Sequence, residues 1–292
     1  MYRNILIPLD GSERAEAIFA HLGPSLWTDD VTLILLWVVD AGVPPDIFHE
    51  GGVAAATLRA TEYLEALSAR LAAQGVQSRA EIRRGRSADA ILEAAAEIGV
   101  DLIALSSHGY SGAERLFFGS TAEQVVRSSV TPVLIVKAPH GSDRPAGRSG
   151  ELALRSDPWC HVLVPLDGSR EAEHVLADTV ALSASGATVV HLLHSVPHSA
   201  ETDDDLAVAA GEAYLGRKAT DVGAHGLDVE TTLRRGPATE SILAFLDEQP
   251  CDLVAMTTHG RSGWSRWVLG TVAETLLRSI HTPILLRRVA SE

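Results

Sequence analysis

The sequence predicts an α/β protein made of two tandem domains, each built on a doubly wound sheet of five parallel strands. Three observations support this prediction: the length of 292 residues, an internal repeat, and alternating apolar and amphipathic segments within each repeat. The length is about twice that of a usual single domain. The chain is therefore long enough to bury two separate hydrophobic cores.

The internal repeat is visible in two parts of the sequence. NILIPLDGSERAE at 4–16 matches HVLVPLDGSREAE at 161–173, with an offset of 157 residues. Further along, the offset is 151 residues for Gly85/Gly236, Asp101/Asp252, Gly109/Gly260, Gly119/Gly270 and Pro132/Pro283. Between the copies, segment 139–158 is rich in Pro, Gly, Ser and charge, which is typical of a linker. The predicted domains are 1–138 and 159–292.

Each half alternates strand-like and helix-like patterns. The strands predicted in the first half are 3–9, 31–39, 77–83, 101–107 and 132–137. The helices predicted there are 13–22, 53–74, 87–98 and 119–129. The strands are almost continuously apolar, which favours a sheet covered by helices on both faces. With right-handed crossovers, such strands form a flavodoxin-like or Rossmann-like layer.

Composition and charge argue against several classes of protein. The formal net charge is −14, and only two of the 24 basic residues are lysines, so no basic surface for nucleic acid is expected. The longest apolar run, at 31–39, is too short for a bilayer, which needs about 20 residues. No secretory signal is visible, so we expect a cytoplasmic protein without a membrane partner. Cys160 and Cys251 lack CxxC pairing, and the histidines share no spacing between the halves, so no metal site is expected.

The first candidate motif is LDGS, which follows the first strand of each half at 9–12 and 166–169. In a doubly wound sheet, ligands bind beyond the carboxyl ends of the strands where the winding direction reverses. Asp10 and Asp167 are placed there to accept hydrogen bonds from a ligand, and the serines are placed to cap the next helix. A simple turn with an N-cap explains the same residues, so both interpretations stay open.

The second candidate motif follows the fourth strand: SSHGYSGAERLFFGST at 106–121 and TTHGRSGWSRWVLGTV at 257–272. In each copy a Gly, a nine-residue spacer and then Gly-Ser or Gly-Thr lead into an amphipathic helix. A helix N-terminus offers unpaired N–H groups and a positive dipole end, so phosphate is the natural ligand. Arg115 and Arg266 in the spacers are candidates to bind phosphate oxygens. No lysine follows the glycines, which excludes a Walker loop.

With these motifs, nearly the whole chain resembles a tandem protein of the universal stress protein family. The family's adenine-nucleotide motif is Gly, two residues, Gly, nine residues and Gly-Ser or Gly-Thr, together with the aspartate after the first strand. Both halves depart from it at the first glycine, which is Ser106 and Thr257 here. The resemblance implies an adenine-nucleotide α-hydrolase-like fold, with adenine near Val38 and Ser195.

The resemblance implies one site for ATP, ADP or AMP in each half, with or without Mg²⁺. The implied nucleotide-binding residues of the first half are Pro8, Leu9, Asp10, Val38, Gly109, Arg115, Gly119, Ser120 and Thr121. Those of the second half are Pro165, Leu166, Asp167, Ser195, Gly260, Arg266, Gly270, Thr271 and Val272. No catalytic or metal-binding residue is predicted.

The leading hypothesis is a stress-response protein that senses or regulates, because no attacking group for a fast reaction is evident. Two alternatives stay open. One is an interaction scaffold that needs no nucleotide, and the other is a slow ATP hydrolase that uses the repeated aspartates. The resemblance also implies a homodimer, and a pairing of the two halves of one chain through their last strands, 133–137 and 284–288.

Overall fold

The computed structural model describes residues 2–22, 26, 28–39, 52–107, 119–138, 152, 154, 159–183, 188–197, 204–258 and 269–289. The chain divides into two compact units, with the boundary between residues 156 and 157. This boundary lies within the segment that the sequence analysis interprets as a linker.

The first unit is a parallel α/β domain. Its strands are β1 (Asn4–Leu9), β2 (Thr32–Val39), β3 (Ser78–Arg84), β4 (Leu102–Ser107) and β5 (Val133–Lys137). Its helices are α1 (Glu13–Glu16), a 3-10 helix (Ala17–His21), α2 (Gly52–Ala72), α3 (Ser87–Ile98) and α4 (Ser120–Ser128). The strand order is β3-β2-β1-β4-β5 with parallel pairing. The winding direction therefore reverses at β1, between β2 and β4.

The second unit repeats this architecture. Its strands are β6 (His161–Leu166), β7 (Val189–Val196), β8 (Asp228–Arg235), β9 (Leu253–Thr257) and β10 (Ile284–Arg287). Its helices are α5 (Arg170–Glu173), α6 (Val175–Leu182), α7 (Asp204–Gly223), α8 (Ala238–Glu248) and α9 (Thr271–Ser279). The order β8-β7-β6-β9-β10, again parallel, confirms the predicted fold class of two doubly wound domains.

The central strands are buried along most of their length. Ile5, Leu6 and Ile7 of β1 are fully buried in succession, as are the four residues 33–36 of β2. Successive strand residues point to opposite faces, so burial of consecutive residues means that both faces of the sheet are covered. The continuous apolar runs in the sequence therefore reflect the helices on either side.

One predicted helix differs from the observed structure. The segment 13–22 is predicted as a single helix, but it forms α1 and then the 3-10 helix. The N–H of Ala17 donates to the carbonyl oxygens of both Glu13 and Arg14, a three-centre bond that marks the change to tighter winding. The 3-10 segment buries Ile18 and Phe19 in the core.

An aspartate holds the amino end of the first strand in each domain. Asp101 Oδ2 accepts hydrogen bonds from the backbone N–H groups of Arg3, at 2.8 Å, and Asn4, at 2.9 Å. Asp252 Oδ2 accepts the same two bonds from residues 160 and 161, both at 2.9 Å. The repeat of Asp101 and Asp252 in the sequence therefore has a structural role, at the edge of the sheet opposite the LDGS turns.

The long helices α2 and α7 cover the sheets rather than resembling membrane spans. No helix among the described residues is long and apolar enough to cross a bilayer.

Candidate functional site

A cleft of about 280 Å³ opens at the carboxyl edge of the first sheet, where the winding direction reverses. Strands β1, β2 and β4 and the first turns of α1, α3 and α4 contribute its walls. Seven of the nine residues expected for the first half line it: Pro8, Leu9, Asp10, Val38, Gly119, Ser120 and Thr121. The other two, Gly109 and Arg115, lie outside the described residues.

The LDGS turn places one carboxylate oxygen of Asp10 in a local network. Asp10 Oδ1 accepts hydrogen bonds from the backbone N–H of Ser12, at 3.0 Å, and from its hydroxyl, at 2.6 Å. Ser12 Oγ in turn accepts from the N–H of Ala15, at 3.1 Å, and caps α1. Among the described residues, no group donates to Asp10 Oδ2. Oδ1 therefore makes the hydrogen bonds that the turn requires, and Oδ2 is available to a ligand.

Aromatic side chains pack against the LDGS turn of the first domain. Gly11 has a φ of +80°, and a β-carbon at this position would lie 2.8 Å from the ring of Trp37. Trp37 packs edge-to-face on Tyr63, with ring centroids 5.4 Å apart. The Tyr63 hydroxyl donates to Glu16 Oε1 at 3.0 Å, and Arg70 forms a salt bridge with Glu16 at 3.1 Å. Burial raises the pKa of Tyr63, so the phenol stays protonated as the donor.

Helix α4 begins at the cleft. Gly119 is its N-cap residue, and no side chain caps the helix. The first N–H groups of a helix have no acceptor within it, so those of Ser120, Thr121 and Ala122 are placed to bind an external acceptor at the cleft wall. A nine-residue helix with an uncapped start in a cleft is a suitable position for an anion.

Ser106 occupies the position of the first glycine of the family motif, and its side chain lines the cleft. The Ser106 hydroxyl oxygen is buried, and it has no hydrogen-bond partner among the described residues. A buried hydroxyl without a partner costs free energy, so a ligand group that pairs with it would bind more tightly. The cleft keeps its volume with this side chain in place.

Two polar residues that the motifs did not indicate also line the cleft. Arg14 is the second residue of α1, and Ser87 is the first residue of α3. The comparison of the two halves selected repeated residues, and neither of these is repeated: Glu171 and Ala238 stand at the corresponding positions. Both residues lie in the first turn of a predicted helix that follows a strand, and this position could have identified them as cleft residues.

The second domain forms the same turn. Asp167 Oδ1 accepts from the N–H of Ser169 at 2.9 Å and from its hydroxyl at 2.6 Å, and Ser169 Oγ caps α5. The other expected residues described here lie at the ends of β6 and β7 and at the start of α9: Pro165, Leu166, Ser195, Gly270, Thr271 and Val272. Gly260 and Arg266 lie outside the described residues.

Two features of the second domain differ around the turn. His194 replaces Trp37 opposite the last residue of the first strand, and its Nδ1 lies 2.7 Å from the carbonyl oxygen of Leu166. Glu173, the counterpart of Glu16, is held by Lys218 from α7 at 3.1 Å. The glutamate of the short helix therefore forms a salt bridge in both domains, but with a different cation in each.

Two histidines, the buried His191 and the half-buried His161, lie together near the amino edge of the second sheet. His161 Nδ1 lies 3.0 Å from His191 Nε2, and the Gln249 amide nitrogen lies 3.2 Å from the same atom. His191 Nδ1 lies 3.2 Å from Glu230 Oε2. No group of three or more metal-ligating side chains occurs in the part of the chain that the structure describes.

This pair predicts a pH dependence of stability in the second domain. Burial lowers the pKa of His191 below its ordinary value of 6.5, and the neighbouring His161 lowers it further, while Glu230 raises it. In the unfolded chain, His191 therefore binds a proton at a higher pH than in the folded domain. The free energy of unfolding of the second domain is then highest above about pH 6.5 and falls as the pH drops below this value. Hydrogen exchange of β7 amides at pH 7.5 and at 5.5, corrected for intrinsic rates, would measure this.

The first domain supplies the control, because Ile34 of β2 stands at the position of His191. We expect His191→Ile to reduce the pH dependence of β7 protection, with β2 as the internal reference. Equal pH dependence in the variant and the unmodified protein would contradict the assignment.

The fold and the site together define a class: tandem doubly wound α/β proteins with an aspartate turn and a helix that begins directly after a glycine at the switch point of each sheet. The model of the universal stress protein family matches residues 1–137 and 159–288. The chain therefore belongs to the universal stress protein family, as the resemblance predicted.

Individual relatives agree with this assignment. Two universal stress proteins of Methanocaldococcus jannaschii are each 30% identical, over 143 residues (48% of this chain, 84% of the relative) and 155 residues (47% and 96%). A solved universal stress protein of Archaeoglobus fulgidus matches 99% of this chain and 97% of its own, with a TM-score of 0.72 at 20% identity. At that identity, the likeness concerns the fold.

Proposed function

We propose that this chain is a regulatory stress-response protein that binds ATP or a related adenine nucleotide in the cleft of its first domain. The observation that carries the proposal is the convergence of three unlike groups on one cleft. These are the open carboxylate oxygen of Asp10, the uncapped start of α4, and the unpartnered hydroxyl of Ser106. A nucleotide suits such a combination, because its sugar hydroxyls donate hydrogen bonds, its phosphates are anionic, and the edge of its base carries hydrogen-bonding groups.

The cleft residues fit the parts of a nucleotide. Val38, Leu36 and Leu9 offer an apolar wall for the base. Asp10 Oδ2 is suited to accept a hydrogen bond from a sugar hydroxyl. The first N–H groups of α4 are suited to the phosphates. The contribution of the protein's own residues is recognition of the nucleotide.

Binding is favoured over catalysis by the charges of the cleft. Asp10 is the single carboxylate among the described residues that line it, and its Oδ1 is already held by Ser12. A hydrolase needs a base to orient water and usually a bound Mg²⁺. Turnover that depends on Mg²⁺ and disappears in Asp10→Asn would instead support the slow hydrolase.

The experiment is to denature the purified protein, identify released nucleotide by chromatography and mass, and titrate the emptied protein with ATP by calorimetry. We expect Asp10→Asn to weaken ATP binding by about tenfold, because the amide keeps an acceptor for Ser12 but loses the charge. Asp30→Asn is the matched control, since Asp30 is exposed at the opposite edge of the sheet.

The scaffold alternative makes the opposite prediction. It expects no released nucleotide and no heat of binding with millimolar ATP, in a protein that is folded by circular dichroism. Equal affinities of the Asp10→Asn and Asp30→Asn proteins would also contradict the proposed site.

A further inference from the structure

The two halves differ in the signs of two neighbouring charges after the LDGS turn, because Glu13 and Arg14 of the first half correspond to Arg170 and Glu171 of the second. Arg14 is the second residue of α1 and lines the first cleft. Glu171 is the second residue of α5. The turns before the two helices match closely, since the serine cap bond is 3.1 Å in both. Glu171 therefore stands at the position of Arg14.

This exchange changes the charge that an anion would meet. In the first cleft, the charged side chains among the described lining residues are Asp10 and Arg14, which balance formally. At the corresponding positions of the second domain, Asp167 and Glu171 are both acidic. Phosphate groups are attracted to a guanidinium and repelled by a carboxylate, and the attraction to Arg14 is larger in the partly desolvated first cleft than it would be in water.

The hydroxyl groups at the two sites also differ in a way that favours ligand binding in the first domain. The Ser106 hydroxyl is buried and has no hydrogen-bond partner among the described residues. Thr121 lines the first cleft, and Val272 replaces it in the second domain. The second domain therefore has one hydroxyl group fewer to offer a ligand at this position.

The strand ends also differ. In the second domain, the His194 ring binds the carbonyl oxygen of Leu166 at 2.7 Å. In the first domain, Trp37 occupies the position of His194 and packs against Gly11. One acceptor at the end of β6 is thus already paired with a side chain of its own domain.

We infer that Arg14 is a phosphate-recognising residue of the first cleft, and that the second domain, with Glu171 in its place, does not take the phosphorylated nucleotide. The chain then binds one nucleotide per molecule, where the family resemblance implies one in each half. This inference rests on the proposed function, which it deepens by assigning the anionic ligand to one of two duplicated sites.

Calorimetric titration of the nucleotide-free full chain tests the inference, with ATP and adenosine as the two probes. We expect a stoichiometry of one for ATP. Arg14→Glu should weaken ATP binding by about tenfold or more, from the loss of one charge-assisted contact, and should leave adenosine binding nearly unchanged. Arg3→Glu is the control for the change in net charge, because Arg3 is exposed at the opposite end of β1.

The second domain supplies the reciprocal variant. Glu171→Arg should leave the affinity of the first site for ATP unchanged, since Glu171 belongs to the other domain. Circular dichroism of each variant checks that it is folded. A change confined to ATP in Arg14→Glu, together with unchanged affinity in Glu171→Arg, would support the inference.

Three outcomes would overturn it while the proposed function stands. They are two ATP sites of similar affinity in the unmodified chain, equal weakening of ATP and adenosine in Arg14→Glu, and loss of ATP binding in Glu171→Arg. Absence of ATP binding in the unmodified chain would contradict the proposed function itself, so the two failures are distinguishable.

Discussion

Alanine in place of Gly11 is expected to lower the free energy of unfolding of the first domain by about 2–4 kcal/mol. The φ of Gly11 is +80°, a conformation that costs an L-residue about 1–2 kcal/mol. In addition, the new β-carbon would lie 2.8 Å from the Trp37 ring, so the indole or the turn must move. Because the turn carries Asp10, we expect ATP affinity to fall together with stability.

Gly75→Ala is the matched control for this variant. Gly75 has a similar φ of +77°, but a β-carbon there would meet no atom within 4 Å. Gly75→Ala therefore has the cost of an unfavourable φ without a steric clash. The difference in unfolding free energy between the two variants measures the cost of the contact with Trp37. Urea unfolding, monitored by hydrogen exchange of the β1 and β2 amides, measures the free energy of unfolding of both variants. Equal losses in the two variants would show that the indole adjusts freely.

Asp101→Ala is the second variant with a large expected effect. Two backbone N–H groups of the first strand lose a carboxylate acceptor, and bonds of this kind contribute about 1.5–3 kcal/mol each. Since these groups are partly exposed to water, we expect a loss of about 3 kcal/mol in the unfolding free energy of the first domain. Hydrogen exchange of β1 and β4 amides in urea is the measurement.

The repeated structure provides an internal replicate of that test. Asp252→Ala removes the same two bonds from the second domain and should destabilise it by a similar amount, leaving the first domain unchanged. Asp101→Asn keeps an acceptor oxygen without the charge, so its loss should be smaller. A loss below about 1 kcal/mol in both alanine variants would mean that water replaces the carboxylate.

The fold could be predicted from sequence because its signals are local or repeated. Continuous apolar runs identified the central strands, and the two copies agreed on the order of elements. The aspartate turn and the helix that begins after a glycine were identified because each recurs in the second half, the turn 157 residues later and the helix start 151 residues later. Five of the residues expected there, from Asp10 to Thr121, do line one cleft together with Pro8 and Leu9.

The remaining features depend on contacts between distant parts of the chain or on differences between the copies. His161 and His191 are 30 positions apart, and only the pairing of β6 with β7 brings them together. Asp101 was noted as a repeat, but its acceptor role depends on backbone groups almost a hundred residues away. Arg14 was missed because a search for what the halves share discards what distinguishes them.

The anchoring of the short helices shows how duplicated domains can diverge without losing compatibility. In the first copy, Glu16 is held by Arg70 of the long helix α2, and in the second, Glu173 is held by Lys218 of α7. The two cations occupy different turns of their helices, but each reaches the equivalent glutamate. The long helix of each domain therefore supplies the cation for the glutamate of its own short helix, so this salt bridge is present in both copies although the cation and its position on the helix have changed.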